Sequence, residues 1–155
     1  LEEVVEKFGK KTHFLVEVKK EVFPFLKEQK IVLKKILSPL EEQIDFHIIT
    51  LDPETLPLVD FLKPKTKLLV AQLNFNHYFN LVQKNDLGGL FGHYLFLGES
   101  IQKKLQSNNQ LLGTGYVRSQ NLFFREVSRG VSWIFSNHAV EMEKMRRNLI
   151  QKRED

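Results

Sequence analysis

Leu97-Gly98-Glu99-Ser100-Ile101-Gln102, Leu111-Leu112-Gly113-Thr114-Gly115-Tyr116 and Leu122-Phe123-Phe124 carry the fold reading of this chain. Leu90 and Tyr94 join Leu97, Ile101 and Leu105 at spacings of 4, 3, 4 and 4, which puts all five on one face of a helix. Ser107-Asn108-Asn109 is a turn. Beyond it two helices are expected, at about 110–128 and 131–152, with Gly130 as the bend between them. Gly113-Thr114-Gly115 then serves packing, because small residues let two helices approach closely. Ile134, His138, Met142, Met145 and Leu149 form the apolar stripe of the last helix, while Glu141, Glu143, Lys144 and Arg146 keep its other faces wet.

Working outward, Leu1, Val4, Val5 and Phe8 predict a short N-terminal helix that stops at Gly9. A second helix is expected over Thr12 to Val22, with Leu15, Val18 and Val22 on one side. Pro24 fits the first turn of a third, which carries Phe25, Leu26, Leu33, Ile36 and Leu37. Ser38-Pro39-Leu40-Glu41 has the form of a capping box, and Asp52-Pro53-Glu54 repeats the device with Asp52 as the cap. A longer helix is expected from Pro64 to about Val82. A strand reading competes in the first half: Phe14, Val16 and Val18 alternate, Ile44, Phe46 and Ile48 alternate, and Leu68-Leu69-Val70 is a compact apolar run. It would make that half βαβαβ. The second half offers no matching strands, so the all-α reading is preferred.

With 155 residues, 42 % of them hydrophobic and 27 % charged, the chain fits one globular domain over 1–155. No run approaches the ~20 apolar residues of a membrane helix, and no secretory leader pattern is evident. Cysteine is absent, which excludes disulfides and thiolate chemistry and suits a cytoplasmic protein. Alanine occurs only at Ala71 and Ala139 among many phenylalanines, so the core is built of bulky groups around gaps. The net charge of +4 invites a nucleic-acid partner. The lysines Lys19, Lys20, Lys27, Lys34 and Lys35 are spread among glutamates as on solvated faces, so that partner is not expected.

Phe14-Leu15-Val16-Glu17-Val18-Lys19 resembles the Glu-x-Lys strand of metal-dependent nucleases, where the carboxylate holds a cation and the lysine polarises the phosphate. Upstream acids occur only at Glu2, Glu3 and Glu6 on a helical pattern, so an amphipathic helix is the preferred reading. His13, His47, His77, His93 and His138 include no i, i+4 pair of a helical metal site. Gly113-Thr114-Gly115 lacks the strand and lysine of a phosphate loop. No nucleophile, base and acid assemble, and a non-enzymatic protein is expected.

The order of these elements resembles the bacterial globin-coupled sensor domains: an extra N-terminal helix, an E-like and an F-like helix, then long G/H-type C-terminal helices. Val18-x-x-x-Val22-Phe23-Pro24-Phe25-Leu26 is similar to that family's A-to-B junction. Leu97-Gly98 followed by Leu112-Gly113-Thr114-Gly115-Tyr116 is similar to its Ile-Gly and Gly-Gly-Tyr passage. The position of the haem-binding histidine is Ile101, and an alkane cannot bind iron, so no haem cofactor is expected. A haem-free globin-like fold further resembles the plasmid-encoded sporulation-inhibitory sensor-domain proteins of spore-forming bacilli.

That resemblance implies a fatty acid in a hydrophobic tunnel, with a halide as a further ligand. It also implies inhibition of sporulation by titrating the signal of a sensor histidine kinase. An empty apolar void costs ~24 cal/mol per Å³, and an acyl chain gains about 0.8 kcal/mol per buried CH₂. The expected lining is Leu33, Leu37, Leu69, Leu73, Ile101, Leu105, Tyr116 and Phe123, with His77, Tyr116 or Arg118 anchoring the carboxylate. The resemblance implies a homodimer through the two C-terminal helices, with Phe124, Val127, Val131, Ile134, Met142 and Met145 as its seam. The rivals are a haem-binding gas sensor using His93 and a small basic helical adaptor for protein or nucleic acid.

Overall fold

Among the described residues, six short strands occupy apolar runs expected to be helical. The computed structural model describes residues 1–19, 25–131 and 133–154. In chain order it contains α1 (Glu2–Phe8), β1 (Phe14–Glu17), α2 (Leu26–Leu37), β2 (Phe46–Thr50), β3 (Lys67–Ala71) and α3 (Phe75–Lys84). Then come β4 (Gly89–His93), α4 (Glu99–Ser107), β5 (Leu111–Gly115), α5 (Gln120–Ser128), β6 (Trp133–Ile134) and α6 (Ala139–Glu154). Tight 3-10 turns cover Pro53–Val59 and Pro64–Thr66. The strands follow one another in sequence order in the sheet. The β1–β2, β2–β3 and β5–β6 pairs are parallel, and parallel neighbours require the crossover connections that the helices and 3-10 turns supply.

The expected all-α, globin-like fold is therefore corrected to α/β. The second predicted helix is β1, and the E-like helix is a 3-10 turn, β3 and α3. The F-like helix is β4, a loop and α4, while the long G and H helices are shortened by β5 and β6. Lys20, Val22, Phe23 and Pro24, which entered the helical reading and the A-to-B resemblance, lie outside the described residues. The chain forms two compact units, residues 1–90 and 91–155.

In the first unit, Phe46 and Ile48 of β2 enter a core with Leu37, Leu40, Leu58, Val59 and Leu62. Register sets Phe14 beside Phe46 and Val16 beside Ile48, so one face of both strands feeds that core. Burying each such side chain stabilises the unit by about 1.5–3 kcal/mol. Leu33, Ile36 and Leu37 of α2 face it at helical spacing, as the sequence predicts. Ser38 does not restart a helix. Its hydroxyl donates to the Lys35 carbonyl (2.8 Å) and closes α2, while the Asp45 carboxylate takes the Glu41 N–H (2.8 Å). Asp52 caps as expected, accepting the Glu54 N–H at 2.9 Å, but it starts a 3-10 turn. Gly88 is demanded by space: a Cβ there would stand 2.0 Å from the Lys65 carbonyl oxygen.

In the second unit, Val117, Phe123 and Met142 form the core, with Leu122, Phe124, Ile134 and Met145 packed against it. Four of the six seam residues of the expected dimer thus contact this core. Gly113 makes room for the Phe91 ring, since a Cβ would come within 2.6 Å of it. Phe91 in turn meets Phe135 at 5.3 Å between ring centroids. Glu126 is fully buried and bonded by Arg125 and Arg129. The Arg129 guanidinium also donates to the Leu97 carbonyl, and the Gln102 amide donates to the Arg129 carbonyl. These bonds fasten α4 and α5 to the loop after β4. Among the described residues no helix is long and apolar enough to cross a membrane.

Candidate functional site

Open α/β sheets bind ligands outside the carboxyl ends of their strands. In the first unit β1 ends at Glu17, and the Val18 N–H still donates to the Ile49 carbonyl at 2.9 Å. Alternation then turns buried Val18 to one side and leaves Glu17 and Lys19 exposed on the other. The Glu-x-Lys segment is a strand end rather than the wet face of a helix. Thr50, at the end of β2, shares a hydrogen bond with the Thr55 hydroxyl (2.7 Å) and accepts the Asp52 N–H (3.1 Å), so it holds the turn that follows. Opposite Glu17 in β2 stands Ile49, which supplies no second carboxylate. Among the described residues no group of three or more His, Asp or Glu could hold a metal ion. The cation half of the nuclease resemblance does not fit these residues.

In the second unit the ends of β4 and β5 carry an aromatic rim. The His93 ring stacks on Tyr116 with centroids 4.9 Å apart and planes at 27°. Tyr94 stands 4.5 Å from His93, and Phe96 meets it edge-on at 5.9 Å. The Leu95 N–H donates to His93 Nδ1 at 3.2 Å. Neutral His93 therefore carries its proton on Nε2, where it can be donated. The Arg125 guanidinium lies over the Tyr94 ring, 5.0 Å from its centroid.

A different histidine pair occupies the amino ends of β1 and β2. His13 Nε2 and His47 Nδ1 are 2.9 Å apart, and His13 Nδ1 bonds the Ile44 carbonyl at 2.6 Å. Burial, reinforced by the neighbouring His13, pushes the His47 imidazole down to about 4.

The residues expected to line a fatty-acid tunnel are distributed over both units. Leu37 and half-buried Leu33 belong to the first core, and Leu69 is buried in β3. Leu105 and Ile101 lie on α4, and Phe123 lies in the second core. Leu73, His77 and Arg118 are on the surface. Tyr116 alone of the set joins the aromatic rim, with His93. Sequence reasoning missed Tyr94 and Phe96; the available signal was the run Gly89-Leu90-Phe91-Gly92 ending in His93-Tyr94.

Among solved structures, the chain is similar to an Oleispira antarctica phosphodiesterase determined with the product sn-glycerol-3-phosphate, at 13 % identity and a TM-score of 0.71. That match covers 92 % of this chain and 57 % of the other. A Parabacteroides distasonis glycerophosphodiester phosphodiesterase matches at 14 % identity and a TM-score of 0.65, over 94 % of this chain and 61 % of that one. An Agrobacterium tumefaciens protein, provisionally named a glycerophosphoryl diester phosphodiesterase, reaches 0.74 at 10 % identity, over 97 % and 64 %. The fold is shared. The chain spans 57–64 % of the length of these neighbours. No sequence-family model and no curated protein matches it.

These likenesses overturn the resemblance to globin-coupled sensors and to sporulation-inhibitory proteins. The non-catalytic fatty-acid sensor falls with the globin frame on which it rested, and so does its haem-binding rival. The expectation of a non-enzyme meets a contrary finding, since solved structures that share this fold include two phosphodiesterases.

Proposed function

We propose that the chain binds and hydrolyses a phosphodiester of the glycerophosphodiester class at the carboxyl ends of its strands. The observation that carries this reading is Glu17-Val18-Lys19 at the end of a parallel strand, in a fold shared with such enzymes. Residues two apart along a strand are roughly 6.6 Å apart, a span that fits a phosphate and its attacking water. The Lys19 ammonium offsets the single negative charge of the diester and the extra charge that gathers on its oxygens during attack. The Glu17 carboxylate takes the proton of the water whose oxygen bonds to phosphorus. The bond from phosphorus to the leaving oxygen breaks, that oxygen takes a proton from solvent, and Glu17 returns its own to solvent, giving sn-glycerol-3-phosphate and the free alcohol.

The test is release of sn-glycerol-3-phosphate from glycerophosphoethanolamine. Lys19→Ala is expected to lower kcat/KM at least about tenfold, with Lys19→Arg restoring part of it. No release by the folded protein, or undiminished release by Lys19→Ala, contradicts the proposal.

A further inference from the structure

We infer that the second unit carries a binding site for a nucleobase-bearing phosphate ester, with a nucleoside monophosphate as its simplest occupant, at the carboxyl ends of β4 and β5. The inference goes beyond the phosphodiester reading and uses residues of the second unit alone.

Tyr116 is the starting point. Its φ of 64° is left-handed, a conformation that bulky side chains rarely adopt and that glycine would take without strain. A tyrosine is kept there, 62 % exposed. In a regular strand its ring would share the face of Leu112 and Thr114; the left-handed turn directs it instead onto His93. The imidazole stacks on one face of the ring, and the residue as a whole remains largely exposed. Strain of this kind persists where a side chain must be presented. What it presents is a flat, polarisable ledge of the sort on which bases stack.

The surroundings select the rest of the ligand. Leu95 and Phe96 stand open to solvent at 67 % and 43 %, forming an apolar border beside the ledge. His93 keeps its Nε2–H as a donor because Nδ1 is occupied by the Leu95 amide. Buried Glu126 faces two guanidiniums, Arg125 and Arg129, so this cluster keeps a net positive charge, and Arg125 carries that charge to the Tyr94 ring. Exposed Arg118 adds a second cation two residues after Tyr116. A planar ring on the ledge with an anion beside it satisfies all of these groups. A quaternary ammonium would be repelled by the same cations, and an acyl chain would leave the His93 donor without an acceptor.

The test is calorimetric titration with adenosine 5′-monophosphate, adenosine and inorganic phosphate. The monophosphate is expected to bind at least about tenfold more tightly than either fragment. Tyr116→Gly should lower its affinity about tenfold while the melting temperature is held or raised, and Tyr116→Phe should keep affinity within about threefold. Equal binding of the monophosphate and inorganic phosphate, or wild-type affinity in Tyr116→Gly, overturns the inference. Monophosphate binding without glycerophosphodiester hydrolysis would sink the proposed activity and leave this site standing. Hydrolysis without monophosphate binding would do the reverse.

Discussion

His47 and His93 are the same residue type at opposite ends of the strands, and the sheet treats them differently. His47 lies near the amino end of β2, buried and bonded to His13, with its imidazole held neutral by its surroundings. His93 lies at the carboxyl end of β4, half-buried, with one nitrogen anchored and the other facing an exposed aromatic rim. The first arrangement uses an imidazole as a packed hydrogen-bonding group. The second leaves it a proton to donate. Amino ends that serve stability and carboxyl ends that serve ligands are the usual division in α/β sheets, and these two side chains express it within one chain.

Four substitutions would break or sharpen that contrast. Glu126→Ala removes the buried carboxylate that fixes Arg125 and Arg129 beneath the carboxyl-end rim, and should cost about 3 kcal/mol in urea denaturation. His47 should make the protein acid-labile. Its folded value of about 4 lies below its ordinary 6.5, so the unfolded chain takes up the proton first. The stabilisation is whole above 6.5 and is lost as pH falls through about 4, a difference of up to roughly 3 kcal/mol. His47→Gln should flatten that slope in denaturation curves taken across the window. His93→Ala should cost only about 1 kcal/mol of stability, the worth of its ring contacts, yet lower nucleoside monophosphate affinity about tenfold. Tyr116→Gly should change stability least. Relief of roughly 1–2 kcal/mol of left-handed strain offsets the lost stacking, and thermal denaturation should show a net change within ~1 kcal/mol.

The sequence shows its helices more readily than its strands. α1, α2, the Asp52 cap and the turn at 107–109 stand where periodicity and capping place them. The strands are two to five residues long. β1, β2 and β3 fall where Phe14, Val16 and Val18 alternate, where Ile44, Phe46 and Ile48 alternate, and at the run Leu68-Leu69-Val70, but signals so short also fit helices; β4, buried on both faces, shows no alternation. The stripe from Leu90 to Leu105 shows how such runs mislead. Leu90 is in β4, Leu97 is in the loop after it, and Ile101 and Leu105 are in α4. All four are buried or half-buried, but for separate reasons, and their spacing only imitates one helix. Glu17 and Lys19 were visible as a Glu-x-Lys pair, although choosing strand over helix needed the pairing with β2. The run ending in His93-Tyr94 signalled only part of the rim, because Tyr116 meets His93 through a backbone turn that composition does not encode.

The most direct measurement is an amide chemical-shift titration with sn-glycerol-3-phosphate. If the carboxyl end of β1 holds the phosphate, shifts will concentrate at residues 17–19. Shifts centred on residues 13–14 and 45–47, or none at saturating ligand, would contradict the account.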